Sequence, residues 1–295
     1  MSKYDIKSYQ EEFLEAQEKV GTEATKDWRG FGQTPAAQLK QVYSREGFDP
    51  ETKIYAFKGD EMVAFLTSSI APESEDGIKR ANLEFALCLP GHEECSDLLF
   101  EQAIKNLKKK GVQKIQTRVG EIYKGTVEKA KKHEFNYSRD LYILMEAKIS
   151  DLSIEESEVA VLEFDESRDL EQLIKIFVEK LGSSKEYAKS NFERVLKDKE
   201  TFAIHMVIRE DDKIVGRVLG YRNQNDPKEF NFGSLYFEDD KYFKPLISSA
   251  ISKMKELGAE KTSLFLHGQT LPLQEQYQSL GFSQSGKIDY YEKEI

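Results

Sequence analysis

The sequence predicts an α/β protein built from two successive copies of one unit. Three observations lead there. A glycine-terminated amphipathic helix occurs twice, at an offset of 147 residues. A strand–turn–strand segment precedes each copy. The surrounding elements follow the same order in both halves.

The helix pair is the strongest of the three. LLFEQAIKNLKKKG (98–111) resembles PLISSAISKMKELG (245–258). Ala103 falls on Ala250, Gly111 on Gly258, Lys114 on Lys261 and Phe135 on Phe282, all without a gap. Leu99, Phe100, Ala103, Ile104 and Leu107 overlie Leu246, Ile247, Ala250, Ile251 and Met254. That spacing puts one apolar stripe on a buried face. Each glycine stands where a helix C-cap belongs. Chance similarity between two α/β segments does not explain a shared offset and a shared stripe.

The other elements follow in order. Helical segments open each half, at 6–19 and 35–44 and again at 170–181 and 187–196. Hairpins follow in YAFKGDEMVAFLTSS and IHMVIREDDKIVGRVLGY, where the offset is 152. Five extra residues in the polar stretch APESEDGIKR account for the change of offset. A strand comes next (82–89; Glu229–Phe237), then the glycine-capped helix. A further strand (Lys114–Val119; 261–266), a short helix and a last strand (140–146; 288–293) complete each half. Residues 159–164 read as an opening strand of half two. The expected domains are 1–147 and 159–295, joined by a linker at 148–158.

Composition narrows the function. The chain has 295 residues, 39% of them apolar, and a net charge of −10. An acidic surface is a poor match for nucleic acid, whose phosphates need a basic face. No apolar run approaches 18 residues, so neither a spanning helix nor membrane association is expected. The opening MSKYDIKSYQEEFLEAQ has no apolar signal-peptide core, and Cys88 and Cys95 lack zinc or redox spacing. A reducing cytoplasmic compartment is expected. His92, His133, His205 and His267 form no metal-ligand pattern with carboxylates, so no metal is expected.

The element order, YQSLGF (277–282) and the hairpin DDKIVGRVLGY together resemble the GNAT superfamily of N-acyltransferases, in tandem form. The resemblance implies two GNAT-like α+β domains, each a mixed β-sheet splayed in the middle and flanked by helices. It implies acetyl-CoA as co-substrate, its pantetheine along the strand backbone at Leu235, Tyr236 and Phe237. Its pyrophosphate would rest on the N-terminus of the next helix, where free N–H groups and the dipole attract anions. The acceptor would be a small-molecule or peptide amine, and the protein a monomer or homodimer.

Both phosphate loops depart from the family's glycine-rich pattern. Half one reads GHEECSDLL, with Glu93, Glu94 and Asp97. Half two reads FEDDKYFKPL, with Glu238, Asp239 and Asp240. Carboxylates repel a pyrophosphate and compete for the same amides as helix caps. In half two Lys241 and Lys244 offset the acids and are the expected cofactor contacts, while Pro245 lacks an N–H. The family's acid, a tyrosine in the late short helix, maps to Tyr277; half one has Ala130 there. The expected base is Glu229, with Glu238 second and Glu84 as the half-one counterpart. These residues make half two the expected active half. For Tyr277 the competing reading is an aromatic packed under Phe282.

Three further stretches carry weaker expectations. Acidic neighbours should raise the Cys95 pKa and blunt its reactivity. The runs KNLKKKG and KAKKHEF read as solvated helix ends. DWRGFGQTP (27–35), with Trp28, Arg29 and Phe31, reads as a loop anchored by an aromatic, or else as a wall of a substrate pocket. The acidic loops also support a second reading, a non-catalytic tandem fold serving as a ligand-binding or protein-interaction module.

Overall fold

Short apolar runs form the strands of this protein, and stripes at helical spacing form the helices that cover them. The computed structural model describes residues 3–28, 32–72, 76–154, 157–223 and 226–295. It divides into unit 1, residues 1–141 with 286–295, and unit 2, residues 142–285.

Unit 1 begins with β1 (Asp5–Ser8), α1 (Leu14–Ala24) and α2 (Ala36–Tyr43). The hairpin β2 (Lys53–Lys58) and β3 (Glu61–Ile70) follows, then β4 (Arg80–Leu83), β5 (Leu87–Cys88) and α3 (Cys95–Lys109). Next come β6 (Lys114–Val119), α4 (Thr126–Lys132) and the start of β7 (Asn136–Lys148). The segment expected to open as a helix at residue 6 opens instead as β1, whose Asp5–Ser8 pair antiparallel with Phe57–Ile54. Ile6 is partly buried against the main core of the unit, so an edge strand satisfies both its backbone and its side chain. The single strand expected at 82–89 is broken: β4 and β5 both pair with β3, and residues 84–86 bulge between them.

Unit 2 continues through β8 (Val161–Glu163), α5 (Glu166–Glu179), α6 (Lys185–Lys197), β9 (Ile204–Glu210) and β10 (Lys213–Arg222). Then come β11 (Glu229–Phe237), α7 (Phe243–Glu256), β12 (Lys261–His267), α8 (Gln274–Ser279) and the start of β13 (Ser283–Glu294). Its sheet runs β7-β12-β11-β10-β9-β8. Only the β11–β12 pair is parallel.

The contiguous halves expected from the sequence differ from the units at their last strands. β6 of unit 1 is paired by Asp289–Glu294 of β13. β12 of unit 2 is paired by Tyr142–Lys148 of β7. Two repeats with matching alternation offer equivalent edges, and side-chain pattern alone does not say which edge a strand joins.

The repeated helices behave as their stripes require. Leu99, Ala103 and Leu107 of α3 are buried, as are Leu246, Ile247, Ala250, Ile251 and Met254 of α7. Both end in the same cap. Gly111 and Gly258 take φ of 77° and 82°. The following amides, of Val112 and Ala259, reach back to the carbonyls of Leu107 and Met254. This is the Schellman pattern, and its left-handed residue favours glycine.

Candidate functional site

β11 and β12 pair only through Glu229↔Lys261, Phe230↔Thr262 and Asn231↔Ser263. Beyond that point β12 stays with β7 as far as His267, and β11 stays with β10 as far as Phe237. The two parallel strands therefore part, and among the described residues no strand pairs with the β12-facing edge of residues 232–237. On its other side β11 carries a bulge. Leu235 faces Val218 and Phe232 faces Gly220, so Gly233 and Ser234 together oppose Leu219. Gly233 is exposed, and residues 234–237 are partly open. A Cβ on Gly233 would stand 3.2 Å from the Leu219 side chain, which favours glycine at the bend. Strand alternation puts Ser234 and Tyr236 on one face and Leu235 and Phe237 on the other, against the α7 core. Leu235, Tyr236 and Phe237 thus line the open edge. Burial and a 2.9 Å bond to Glu238 push the Tyr236 phenol up to about 12.

The loop from this edge to α7 is folded on itself. Asp239 accepts the Lys241 amide at 2.9 Å and caps a short 3-10 turn at Asp240–Tyr242. Lys241 lies 3.4 Å from Glu210 and over the Tyr242 ring. Lys244 stands in the first turn of α7 beside Pro245. In unit 1, Glu93 accepts the Gly91 amide at 3.1 Å. Glu94 is held by Lys3 and by Tyr4, the latter at 2.6 Å, and these bonds lower it to about 2. In both units a carboxylate accepts a loop amide, that of Gly91 or of Lys241, while the first turns of α3 and α7 carry no side-chain cap.

Tyr277, the expected acid, lies in the aromatic core of unit 2. It is 1% exposed and enclosed by Phe232, Phe243 and Phe282, at centroid distances of 6.4, 4.9 and 5.3 Å. Burial raises its pKa, and none of the described residues bonds its hydroxyl. Its ring packs in the core of unit 2. The glycine of YQSLGF is structural too. Gly281 has φ of 104°, and a Cβ there would meet the Asp151 carbonyl at 2.8 Å.

Glu229, the expected base, stands at the start of β11. It accepts from Ser263 at 2.9 Å in the zipped part of the sheet. Five residues separate it from Ser234, or about 16 Å along a strand. Its partner by register in unit 1 is Arg80, not Glu84, since Arg80 and Glu229 face Lys114 and Lys261. Glu238, the second candidate, is taken up by Tyr236.

Unit 1 has the same splay with different contents. β4 and β6 pair through Asn82↔Gln116 and then part. Arg118 spans the opening to Glu84, with Nε at 2.9 Å and a terminal nitrogen at 2.8 Å. Lys129 of α4 donates to the Ala86 carbonyl in the bulge at 2.8 Å. The matching positions in unit 2 are Gly233, Phe265, Gln276 and Leu235. Among the described residues no side chain donates to the Leu235 carbonyl.

The α5–α6 face of unit 2 holds two buried arginines. Arg209 makes a two-pronged contact with the fully buried Asp169, one prong at 2.9 Å. Arg217, on β10, is 0% exposed and makes no ion pair among the described residues. Its Nε donates to His205 Nε2 at 2.8 Å and its Nη1 to Ser234 Oγ. Its guanidinium carbon lies 5.2 Å from the ring centroids of both Phe177 and Phe192. Burial lowers its pKa to about 9, and burial together with Arg217 lowers His205 to about 2. Sequence reasoning passed over this group, although Arg217 interrupts the apolar run IVGRVLG.

The remaining expected features are structural in character. His133 stacks on Phe100 at 3.8 Å, and His92 lies 3.0 Å from the Tyr4 hydroxyl. No cluster suited to a metal occurs among the described residues. Contact with Cys88 is the leading cause that raises Cys95, followed by burial, with a smaller push from the Glu94 charge. Trp28 packs on Tyr123 at 4.5 Å, as an anchor would. Arg29 and Phe31 lie outside the described residues. No described helix is long and apolar enough to cross a membrane.

No protein-family model matches the chain, and no curated protein sequence matches it. Solved structures do. A GCN5-related N-acetyltransferase from Sphaerobacter thermophilus superposes at TM-score 0.63 with 14% identity, covering 100% of this chain and 96% of its own. A tandem GNAT protein from the clavulanic acid biosynthesis pathway gives 0.64 with 12% identity, covering 99% and 98%. N-myristoyltransferase from Saccharomyces cerevisiae gives 0.53 with 13% identity, covering 99% and 80%. The splayed sheets, the bulged central strands and these matches define a tandem GNAT-like fold.

Proposed function

We propose that the protein is an acyl-CoA-dependent N-acyltransferase whose chemistry lies in unit 2. The observation that carries this reading is the open edge of β11 at residues 232–237, free on the side facing β12 and bent at Gly233–Ser234. An acyl-pantetheine arm laid along that edge finds unpaired backbone groups. Transfer to an amine forms the amide and releases the thiol, with no cofactor beyond the acyl-CoA. Acetyl-CoA is the donor proposed, and a small-molecule or peptide amine the acceptor. The S. cerevisiae relative, solved with bound myristoyl-CoA, supports a CoA thioester as the ligand class.

The capped loop at Glu238–Tyr242 changes how CoA is held. Acids crowd this loop and Pro245 in the first turn lacks an N–H, so the pyrophosphate depends on Lys241 and Lys244 more than on helix amides. Calorimetric titration with acetyl-CoA and with S-acetylpantetheine tests this. Micromolar binding of acetyl-CoA, about −8 kcal/mol, with S-acetylpantetheine weaker by only about tenfold, is the expected result. One lost charge-assisted contact is worth about 1.5–3 kcal/mol, so a much larger gap would restore the phosphate cradle as the main anchor. Absence of binding to both by folded protein would sink the enzyme reading. The second reading, a non-catalytic ligand-binding or interaction module, rests on the carboxylates that occupy both loops, and would then stand in its place.

A further inference from the structure

We propose that Arg217 and Ser234 form a carboxylate-binding subsite on the α5–α6 face of unit 2. The inference does not depend on acyl transfer.

Arg217 is a buried charge with no opposite charge to meet it among the described residues. Taking a guanidinium out of water is costly unless it is paired and its donors are all used. Here Nη2 has no partner among the described residues, while Nε and Nη1 meet only the neutral acceptors His205 and Ser234. Two aromatic faces return part of the cost. The same unit shows what a purely structural buried arginine looks like. Arg209 has its own carboxylate, Asp169, in two-pronged contact.

The fold itself does not need a charge at this position. Arg217 pairs with Val207 across the β9–β10 hairpin, and the matching pair in unit 1 is Phe65 with Tyr55. A phenylalanine fills the equivalent place there. The arginine thus distinguishes unit 2 from unit 1, and its empty hydrogen-bonding site lies at Nη2.

Ser234 completes the recognition. Its oxygen accepts from Arg217 Nη1, which leaves its own hydrogen to donate. Nη2 and the Ser234 hydroxyl together offer one donor to each oxygen of a planar carboxylate. The charge also matches. His205 accepts from Nε and is kept neutral by burial, so the subsite presents a single positive charge. That suits a monoanionic carboxylate better than a phosphate dianion. Ser234 and His205 are partly exposed, whereas Arg217 is sealed beneath Phe177 of α5 and Phe192 of α6. A ligand coming in past Ser234 must part that aromatic seal from the sheet. Ser234 is also the bulge residue of the open β11 edge. If unit 2 transfers acyl groups, the acceptor is an amine that also carries a carboxylate.

Thermal melts of the full chain in sodium acetate, sodium phosphate and sodium chloride, at matched ionic strength, provide the test. Wild-type protein should show a saturable rise in melting temperature with acetate, beyond chloride and beyond phosphate. Arg217→Met should fold with equal or higher stability, since apolar replacement of an uncompensated charge is tolerated, and should lose the acetate response. Ser234→Ala, which keeps the charge, should bind acetate roughly tenfold more weakly. Acetate no better than chloride in the wild type would overturn the proposal. So would an acetate response retained in Arg217→Met, an unchanged affinity in Ser234→Ala, or phosphate surpassing acetate. Arg217→Met that does not fold leaves the decision to the wild-type and Ser234→Ala arms. These outcomes are separate from acetyl-CoA binding, which can fail while acetate binding holds.

Discussion

The two splayed clefts share a backbone and differ in what fills them. In unit 1 the opening is stitched by its own side chains, Lys129 onto the Ala86 carbonyl and Arg118 onto Glu84. In unit 2 glutamine, leucine, phenylalanine and glycine stand at the matching places, and the edge of β11 is left open. The buried layer beneath is inverted in character: unit 2 keeps Arg217 where unit 1 has Phe65. Unit 1 thus closes its opening with its own side chains, whereas unit 2 leaves the edge of β11 open and buries an arginine whose Nη2 has no partner among the described residues. In the first the groups serve stability. In the second the unsatisfied ones are the candidates for binding.

The comparison can be broken in several ways. The largest effect is expected from the aromatic enclosure of unit 2. Tyr277→Ala should lower stability by about 3–5 kcal/mol in chemical denaturation, whereas Tyr277→Phe should change both stability and any turnover little. A turnover loss in Tyr277→Phe with normal stability would reinstate the tyrosine as the acid.

Copying the stitch of unit 1 into unit 2 is expected to come next. Gln276→Lys places an amine at the position of Lys129 and should weaken acetyl-CoA binding by roughly tenfold or more, the worth of one charge-assisted bond. Equal affinity by calorimetry would mean that the β11 edge is not the binding wall. The reciprocal change, Lys129→Gln, should leave acetyl-CoA affinity unchanged, because carboxylates still occupy the loop of unit 1. A second binding event in that variant would show that the stitch alone silences the unit.

His205 provides a pH test of the buried layer. Its folded pKa is depressed to about 2 from 6.5, so the unfolded chain takes up the proton first as pH falls. Its contribution is fully present above pH 6.5 and declines below it, by up to about 1.4 kcal/mol per pH unit. Denaturation midpoints measured on either side of 6.5 should show this slope, and His205→Gln should flatten it. The smallest effect belongs to unit 1. Glu94, lowered to about 2 by Lys3 and Tyr4, contributes above its ordinary 4.5 and loses that contribution as pH falls toward 2. Glu94→Gln should remove this exposed, salt-screened term with a barely measurable change in melting.

Much of the architecture was legible from residues alone. The stripe and glycine of α3 and α7, the two hairpins, and the limits of β6 and β11 follow from local periodicity and capping, which act within a few residues of chain. The acid-rich loops were legible for the same reason, since a carboxylate beside a helix N-terminus competes for amides a few ångströms away. Tertiary structure alone decided the rest. It put Tyr277 inside an aromatic box, held Glu229 in the zipped part of the sheet, and gave β6 and β12 their last strands from distant chain segments. It also brought Arg217, His205 and Ser234 together from three strands. These outcomes depend on which edges and faces meet, and on what charge each burial leaves uncompensated. Local sequence determines neither, because both are set by contacts between segments far apart along the chain.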